Sequence, residues 1–344
     1  MKDLLAVPPR RRQPLTRVQA ILQDAAHVVM TTHVNADGDG AGSQAALAGW
    51  LTGPGRKVTI ANPTPFPDRY SYLLPDGVEV MEPGAGLEAR VRDADVVMVL
   101  DTGEPRRLGR VAKHLPEGRV VVLDHHPPGE NGIPGPGLRD DSACATGEIV
   151  YDLLLMAAPD HWDDTMVQGV YVAIETDTGS FRFSNTSVRT HAIAADLIRR
   201  GVDPERVYRR LHATITMERI HMIRLSLDTL ERDPELPIAW ITIPREVTHQ
   251  MNATPDDIDG IGDFARNLQG TEVAVTFRET IDGATKISFR SNGDVDVNSV
   301  ARQFGGGGHV KAAGAIVGGP VQANRARILD AVREAVQAQD QRHA

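Results

Sequence analysis

Residues 119–126 read RVVVLDHH. Four apolar residues in succession suit a strand covered on both faces, because a strand with one wet face alternates apolar and polar. HVVMTTH (27–33), KVTIAN (57–62) and ADVVMVLD (94–101) have the same character. GSQAALAGWL (42–51) reads as a helix between the first two runs. The alternation predicts an α/β domain with a mainly parallel sheet flanked by helices.

Helices are expected over ATGEIVYDLLLMA (145–157), DDTMVQGVYVAIETDTGSF (163–181) and SVRTHAIAADLIRRG (187–201). The stretch 204–233 is helical in pattern and charged. A second α/β pattern opens with PIAWITIP (237–244) and a helical DDIDGIGDFARNLQG (256–270). The strand pair TEVAVTFRET and TKISFRS follows around the turn IDGA. Then come a helix near DVNSVARQF, the run GGGGH, a strand AAGAIVGG and a closing helix from about Ala323. This divides the chain into 1–203, a helical linker 204–234, and a smaller C-terminal α/β domain 235–344.

The 344 residues carry a net charge of −9, which excludes a broad basic face for coating long duplexes. Aromatic residues make up only 4%, too few for a long base-stacking platform. The single cysteine, Cys144, excludes a disulfide framework within one chain and a multi-cysteine zinc centre, and suits a reducing compartment. No apolar run reaches the roughly 18 residues needed to cross a bilayer, and MKDLLAVPPRRRQPL lacks the apolar core of a signal peptide. A cytoplasmic protein without a membrane partner is expected.

The apolar runs end in ligand-type side chains. The first is followed by His33, Asp37 and Asp39 in THVNADGDG, the third ends at Asp101 and the fourth at Asp124, His125 and His126. Asp177 in ETDTG adds another carboxylate. In open α/β sheets ligands bind beyond the carboxyl ends of the strands. Alone, DGDG reads as a solvated turn and a strand-end aspartate as a helix cap. Together the acids would repel one another unless cations sat among them. A pair of divalent ions meets that need, and mixed imidazole and carboxylate ligands suit Mn²⁺ better than Mg²⁺ alone.

THVNADGDGAGS, VLDTG, VLDHHP and ETDTGSF, in that order, resemble the DHH phosphoesterase superfamily, and FGGGGHVKAAGA (304–315) resembles the signature of its DHHA1 domain. The combination is most similar to the nano-RNase and pAp-phosphatase branch, which is related to the longer RecJ-type exonucleases. The resemblance implies a DHH domain and a DHHA1 domain with the active site in the cleft between them. It implies one Mn²⁺ on His33, Asp37 and Asp101 and a second on Asp39, Asp101, His125 and Asp177, with Mg²⁺ or Co²⁺ as alternatives. Asp124 would orient an imidazole and His126 would face the phosphate, giving the catalytic set His126, Asp124 and Asp101.

Substrate would be held by Arg290, Ser291, Gly306, Gly307, Gly308, His309 and Lys311, with Arg182 and Asn185 within reach. The substrates implied are short RNA or DNA oligonucleotides or a nucleotide bisphosphate, hydrolysed to mononucleotides and AMP. A homodimer is left open. The competing readings are a RecJ-like single-strand exonuclease, an inorganic pyrophosphatase of the same superfamily, and a nucleotide-binding regulator without catalysis. Ala36, Gly40 and Ala41 depart from the family's first motif and lead to the expectation of a more mobile loop there.

Overall fold

Each long apolar run became a strand whose successive residues enter two different cores. In β1 (His27–Thr31), β4 (Val96–Leu100) and β5 (Val120–Asp124), the side chains of Val28, Met30, Val96, Met98, Leu100, Val121 and Leu123 pack on one face. Val29, Val97, Val99, Val120 and Val122 pack on the other. Side chains alternate across a strand, so two covered faces require the unbroken apolarity seen in the sequence. The structure, a computed structural model, describes residues 2–343 apart from Ala85, Pro128, Glu130, Thr214, Pro244, 246–259 and Ile281.

The chain divides into two units, 1–213 and 214–344. In the first, all strand pairs are parallel: β2 (Lys57–Ile60), β3 (Glu79–Val80) and β6 (Gly137–Arg139) complete a sheet of order β3-β2-β1-β4-β5-β6. The short strands β3 and β6 were not expected. One face is covered by α2 (Pro9–Gln23), α3 (Gly38–Leu51), α5 (Thr146–Ala157) and α6 (Asp164–Asp177). The other is covered by α4 (Leu87–Asp93) and a 3₁₀ segment, Pro105–His114. α1 (Lys2–Leu5), α7 (Val188–Arg199) and α8 (Pro204–Leu211) complete the unit.

Helices α3 and α6 cross in backbone contact. A Cβ on Gly42 would lie 2.4 Å from the Gly169 carbonyl oxygen, and one on Gly169 would lie 2.6 Å from that of Gly42. The first unit is also tied by a buried ion network. Arg11 of α2 donates to Asp140, Glu148 and Asp152 at 2.6, 2.8 and 2.8 Å, and Arg189 of α7 donates to Glu148 and Asp152. Arg11 is therefore a buried anchor.

The second unit is a six-stranded mixed sheet of order β11-β12-β10-β9-β8-β7. Its strands are β7 (Glu231–Arg232), β8 (Ile238–Ile243), β9 (Val273–Glu279), β10 (Thr285–Ser291), β11 (Gly307–His309) and β12 (Ala312–Val317). One face packs on α11 (Val297–Gln303) and α12 (Val321–His343), the other on α9 (Met217–Leu227) and α10 (Ile261–Arg266). The expected hairpin β9–β10 is present with antiparallel register. Residues 256–259 of the expected helix and Ile281 of the turn lie outside the described residues. The helical stretch 204–234 contains the boundary between the units, with α8 before it and α9 after it.

Candidate metal centre

The first sheet is built outward from its middle: the chain runs β1, β2, β3 to one side, then β4, β5, β6 to the other. Its switch point lies between β1 and β4, where diverging connections open a crevice at the carboxyl ends. His33 follows β1, Asp101 follows β4, and Asp124, His125 and His126 close β5. Helix α3 begins at Gly38, four residues earlier than expected, so DGDG is a helix start rather than a turn. Gly40 and Ala41 are buried in its first turn, so these two positions belong to the helix rather than to a loop. Asp37 is the cap, accepting from the Asp39 and Gly40 amides. Asp177 is the last residue of α6, so the Gly42–Gly169 crossing holds together the two helices that carry Asp39 and Asp177.

His33 Nε2 lies 3.6 Å from Asp37 Oδ2 and 3.3 Å from Asp101 Oδ2. His125 Nε2 lies 3.7, 3.6 and 3.6 Å from Asp39 Oδ2, Asp101 Oδ1 and Asp177 Oδ2. Asp101 thus turns one oxygen to each imidazole. Its backbone adopts φ 59°, a left-handed conformation that costs energy outside glycine and concentrates at functional sites.

The outer contacts set these groups in place. His33 Nδ1 faces the Val34 carbonyl at 2.9 Å; a carbonyl only accepts, so Nδ1 carries a proton and Nε2 is the nitrogen left to face the carboxylates. Asp39 accepts from the Thr146 and Gly147 amides at the start of α5, at 2.6 and 2.8 Å, where the helix dipole favours an anion. Thr146 Oγ1 donates to Asp101. Asn185 donates to the Cys144 and Asp177 carbonyls and, at 3.4 Å, to the Asp177 carboxylate.

His33 Nε2 and His125 Nε2 are buried without a hydrogen-bond partner, a costly condition in a polar site. Both belong to groups whose ligand atoms converge: His33, Asp37 and Asp101; Asp39, His125 and Asp177; and Asp101, His125 and His126. Unpaired imidazole nitrogens aimed among carboxylate oxygens fit divalent metal ions.

A sequence profile of the DHH family N-terminal domain matches residues 27–174, and one of the DHHA1 domain matches 242–338. A protein named bifunctional oligoribonuclease and PAP phosphatase NrnA, from Thermus thermophilus, is 32% identical over 314 residues, 89% of each chain. The chain belongs to the DHH family. A second protein of the same name, from Bacillus subtilis, is 27% identical over 84% of this chain and 89% of its own. The fold is shared with an exopolyphosphatase-related protein from Bacteroides fragilis, at a TM-score of 0.85 and 21% identity over 95% of this chain and 96% of that one. It is also shared with Thermus thermophilus RecJ, solved in complex with Mn²⁺, at a TM-score of 0.55 and 18% identity over 96% of this chain and 56% of RecJ.

The electrostatics of the DHH site follow from its burial. Desolvation, then the negative charge of Asp101, pushes the Asp39 carboxyl well above the usual range. Desolvation and Asp37 raise Asp101 against the pull of His33, and Asp177 is raised by burial. Burial opposes a charge on His33, but the neighbouring carboxylates of Asp101 and Asp37 outweigh this and raise it to about 10. Asp37, whose side chain is exposed at the rim, is held at about 2 by His33 against the desolvation of the cluster beside it. Without cations, the centre therefore keeps protons in place of the positive charge it lacks.

Two further polar groups gave no signal in the sequence, the first of them at this centre. Arg107, six residues beyond Asp101, donates from Nη1 to His126 Nε2 at 2.9 Å. Glu175, two residues before Asp177, accepts from Ser180 and from His212 near the end of the unit, at 2.6 and 2.8 Å. Arg182 donates to the Gly179 carbonyl and is exposed, whereas Asn185 braces Asp177.

In the second unit, His309 pairs with Ala312 and Ala312 with Arg290, so His309 and Arg290 share one face of the sheet. Ser291 points to the opposite, core side, is buried, and donates to the Gly293 carbonyl. Lys311 lies 3.6 Å from Asp294. The glycines let β11 lie against β12: a Cβ on Gly306 would be 2.1 Å from the Gly314 carbonyl oxygen, and Gly308 has φ 149°. Gly307 between them is exposed.

Proposed function

We infer that the chain is a two-metal phosphoesterase that hydrolyses short oligonucleotides, including linear dinucleotides, to mononucleotides, and pAp to AMP. The observation that carries this reading is the pair of buried, unpartnered imidazole nitrogens facing opposite oxygens of one shared carboxylate, Asp101. His33, Asp37 and Asp101 would hold one ion, and Asp39, Asp101, His125 and Asp177 the other. Mn²⁺ suits this mixed imidazole and carboxylate donor set. The names of the relatives from Thermus thermophilus and Bacillus subtilis supply the substrate class.

When bound, two divalent ions supply an activated water and withdraw charge from the phosphoryl group. The chain's own residues orient the donors. Val34 selects the His33 tautomer, the α5 amides hold Asp39, and Asn185 braces Asp177. Asp124 holds the His126 ring from Nδ1. In the second unit, His309 and Arg290 present a donor and a positive charge on one face, which supports a role in gripping a nucleotide's phosphate or base. The buried single Cys144 suits a reducing compartment such as the cytoplasm. Gel filtration at several concentrations would test for a homodimer.

The test is a panel of pAp, a 5′-phosphorylated diribonucleotide, a longer RNA, a long DNA strand and pyrophosphate, with Mn²⁺ and with the Asp101→Ala protein beside the wild type. Cleavage of pAp and the dinucleotide ahead of the others, with an inactive variant, is the expected result. Preference for the long strand or for pyrophosphate overturns the substrate assignment.

A further inference from the structure

His126 uses both ring nitrogens inside the protein. Nδ1 lies 2.8 Å from Asp124 Oδ1, and Nε2 lies 2.9 Å from Arg107 Nη1. A carboxylate only accepts and a guanidinium only donates, so Nδ1 carries the proton and Nε2 the lone pair. An imidazole engaged in this way has nothing left to offer a phosphate oxygen. Arg107 does. Among the described residues its side chain makes no other hydrogen bond or ion pair, so its remaining N–H groups are uncommitted.

Its setting is unusual for an arginine. The guanidinium lies close enough to Asp37 and Asp177 for its charge to pull on both carboxylates, against the burial that leaves Asp177 raised, yet its hydrogen bond goes to an imidazole nitrogen. The backbone is tied down on both sides: the Arg107 amide donates to the Glu104 carbonyl at 3.1 Å, and its carbonyl accepts from Val34 at 2.7 Å. Val34 adjoins His33, so the segment bearing Arg107 is pinned to the loop that carries one of the ligand imidazoles. The result is a fixed fork of donors at the rim of the acid cluster. Planar guanidinium donors match two oxygens of a phosphate at once.

We propose that Arg107 grips the phosphate of the substrate, and that Asp124 and His126 act through it as positioning residues that aim the guanidinium. This rests on the phosphoesterase reading above and moves the phosphate-facing role from His126 to Arg107. His126 holds the arginine from behind while the free N–H groups face the non-bridging oxygens. The occupant is a phosphate ester, and the site uses its charge rather than its base.

The experiment is a double-mutant cycle on the full chain loaded with Mn²⁺, using Arg107→Ala, His126→Ala, the pair together, and Arg107→Lys. Steady-state kinetics on a 5′-phosphorylated diribonucleotide are read beside calorimetric affinities for Mn²⁺ and for inorganic phosphate. Each single alanine variant is expected to lose about 10- to 100-fold in kcat/KM and to weaken phosphate binding, with Mn²⁺ affinity unchanged. The double variant should be no worse than the poorer single, and lysine should restore part of the phosphate affinity.

Losses that multiply in the double variant would show that His126 meets the substrate itself and overturn the proposal. So would wild-type phosphate affinity and kcat/KM in Arg107→Ala. A wild-type protein that binds phosphate through Arg107 but cleaves no dinucleotide would sink the substrate reading and leave the arginine's role standing. Thermal melts report whether His126→Ala folds. Should it fail to fold, added guanidinium restoring turnover to Arg107→Ala supports the proposal, and an absence of rescue overturns it.

Discussion

At the scale of single residues, the centre is a set of carboxylates kept where water cannot neutralise them. Asp39 and Asp101 are almost fully buried, and desolvation with the charge of neighbouring carboxylates raises both. A carboxyl whose folded pKa lies above its unfolded value binds more protons in the folded state, so its contribution weakens as pH rises beyond about 4. His33 has the same sign. Its stabilising proton is fully present below its ordinary value of about 6.5 and is withdrawn as pH rises through about 10. Asp37 has the opposite sign and matters only near pH 2 to 4. Metal-free protein is therefore expected to lose thermal stability steadily from pH 5 to pH 9 (about one unit inside that window). Mn²⁺ should raise the melting temperature more at the alkaline end. A metal-free melting temperature that climbs with pH would contradict the burial argument. Asp101→Asn should melt higher than the wild type without metal at pH 8, and show no Mn²⁺-dependent turnover.

At the scale of elements, two helices with no side chain at their crossing bring the ligands together. Gly42 and Gly169 allow α3 and α6 to touch through backbone, and those helices bear Asp39 and Asp177 near their ends. Gly169→Val forces a branched side chain against the Gly42 carbonyl, an overpacking that costs about 1 to 3 kcal/mol. It should also weaken Mn²⁺ binding, although residue 169 is no ligand. Calorimetry on the variant checks this; loss of stability with unchanged Mn²⁺ affinity would mean the crossing does not set the ligand spacing. The strands β1, β2, β4 and β5 were legible because both of their faces are buried and the hydrophobic demand is continuous. β3 and β6 were not, since two and three residues carry no period. The early start of α3 was hidden because its first turn, Gly38, Asp39 and Gly40, has the composition of a loop.

At the scale of the whole molecule, each unit has its own sheet with both faces packed. A fragment of residues 1–213 is expected to fold and bind Mn²⁺ while losing most activity on a dinucleotide, because every proposed ligand lies within it and His309 and Arg290 do not. Circular dichroism with metal titration tests the first part, and full dinucleotide turnover by the fragment would refute the second. In the intact chain, His309→Ala should raise KM for a dinucleotide about tenfold or more and leave Mn²⁺ affinity unchanged; an unaltered KM would remove His309 from the substrate site.

The sequence by itself determined the class of chemistry: acids and imidazoles at the ends of successive buried strands need cations between them, whatever their exact geometry. It also determined the two α/β patterns, because burial on both faces writes itself into consecutive residues. Only the tertiary structure decided which oxygen of Asp101 meets which imidazole, that Ser291 faces a core rather than the side that bears Arg290, and that Arg107 hydrogen-bonds to His126. Those outcomes depend on the direction of side chains from elements distant in sequence, and a contact across nineteen residues leaves no local period or spacing to read.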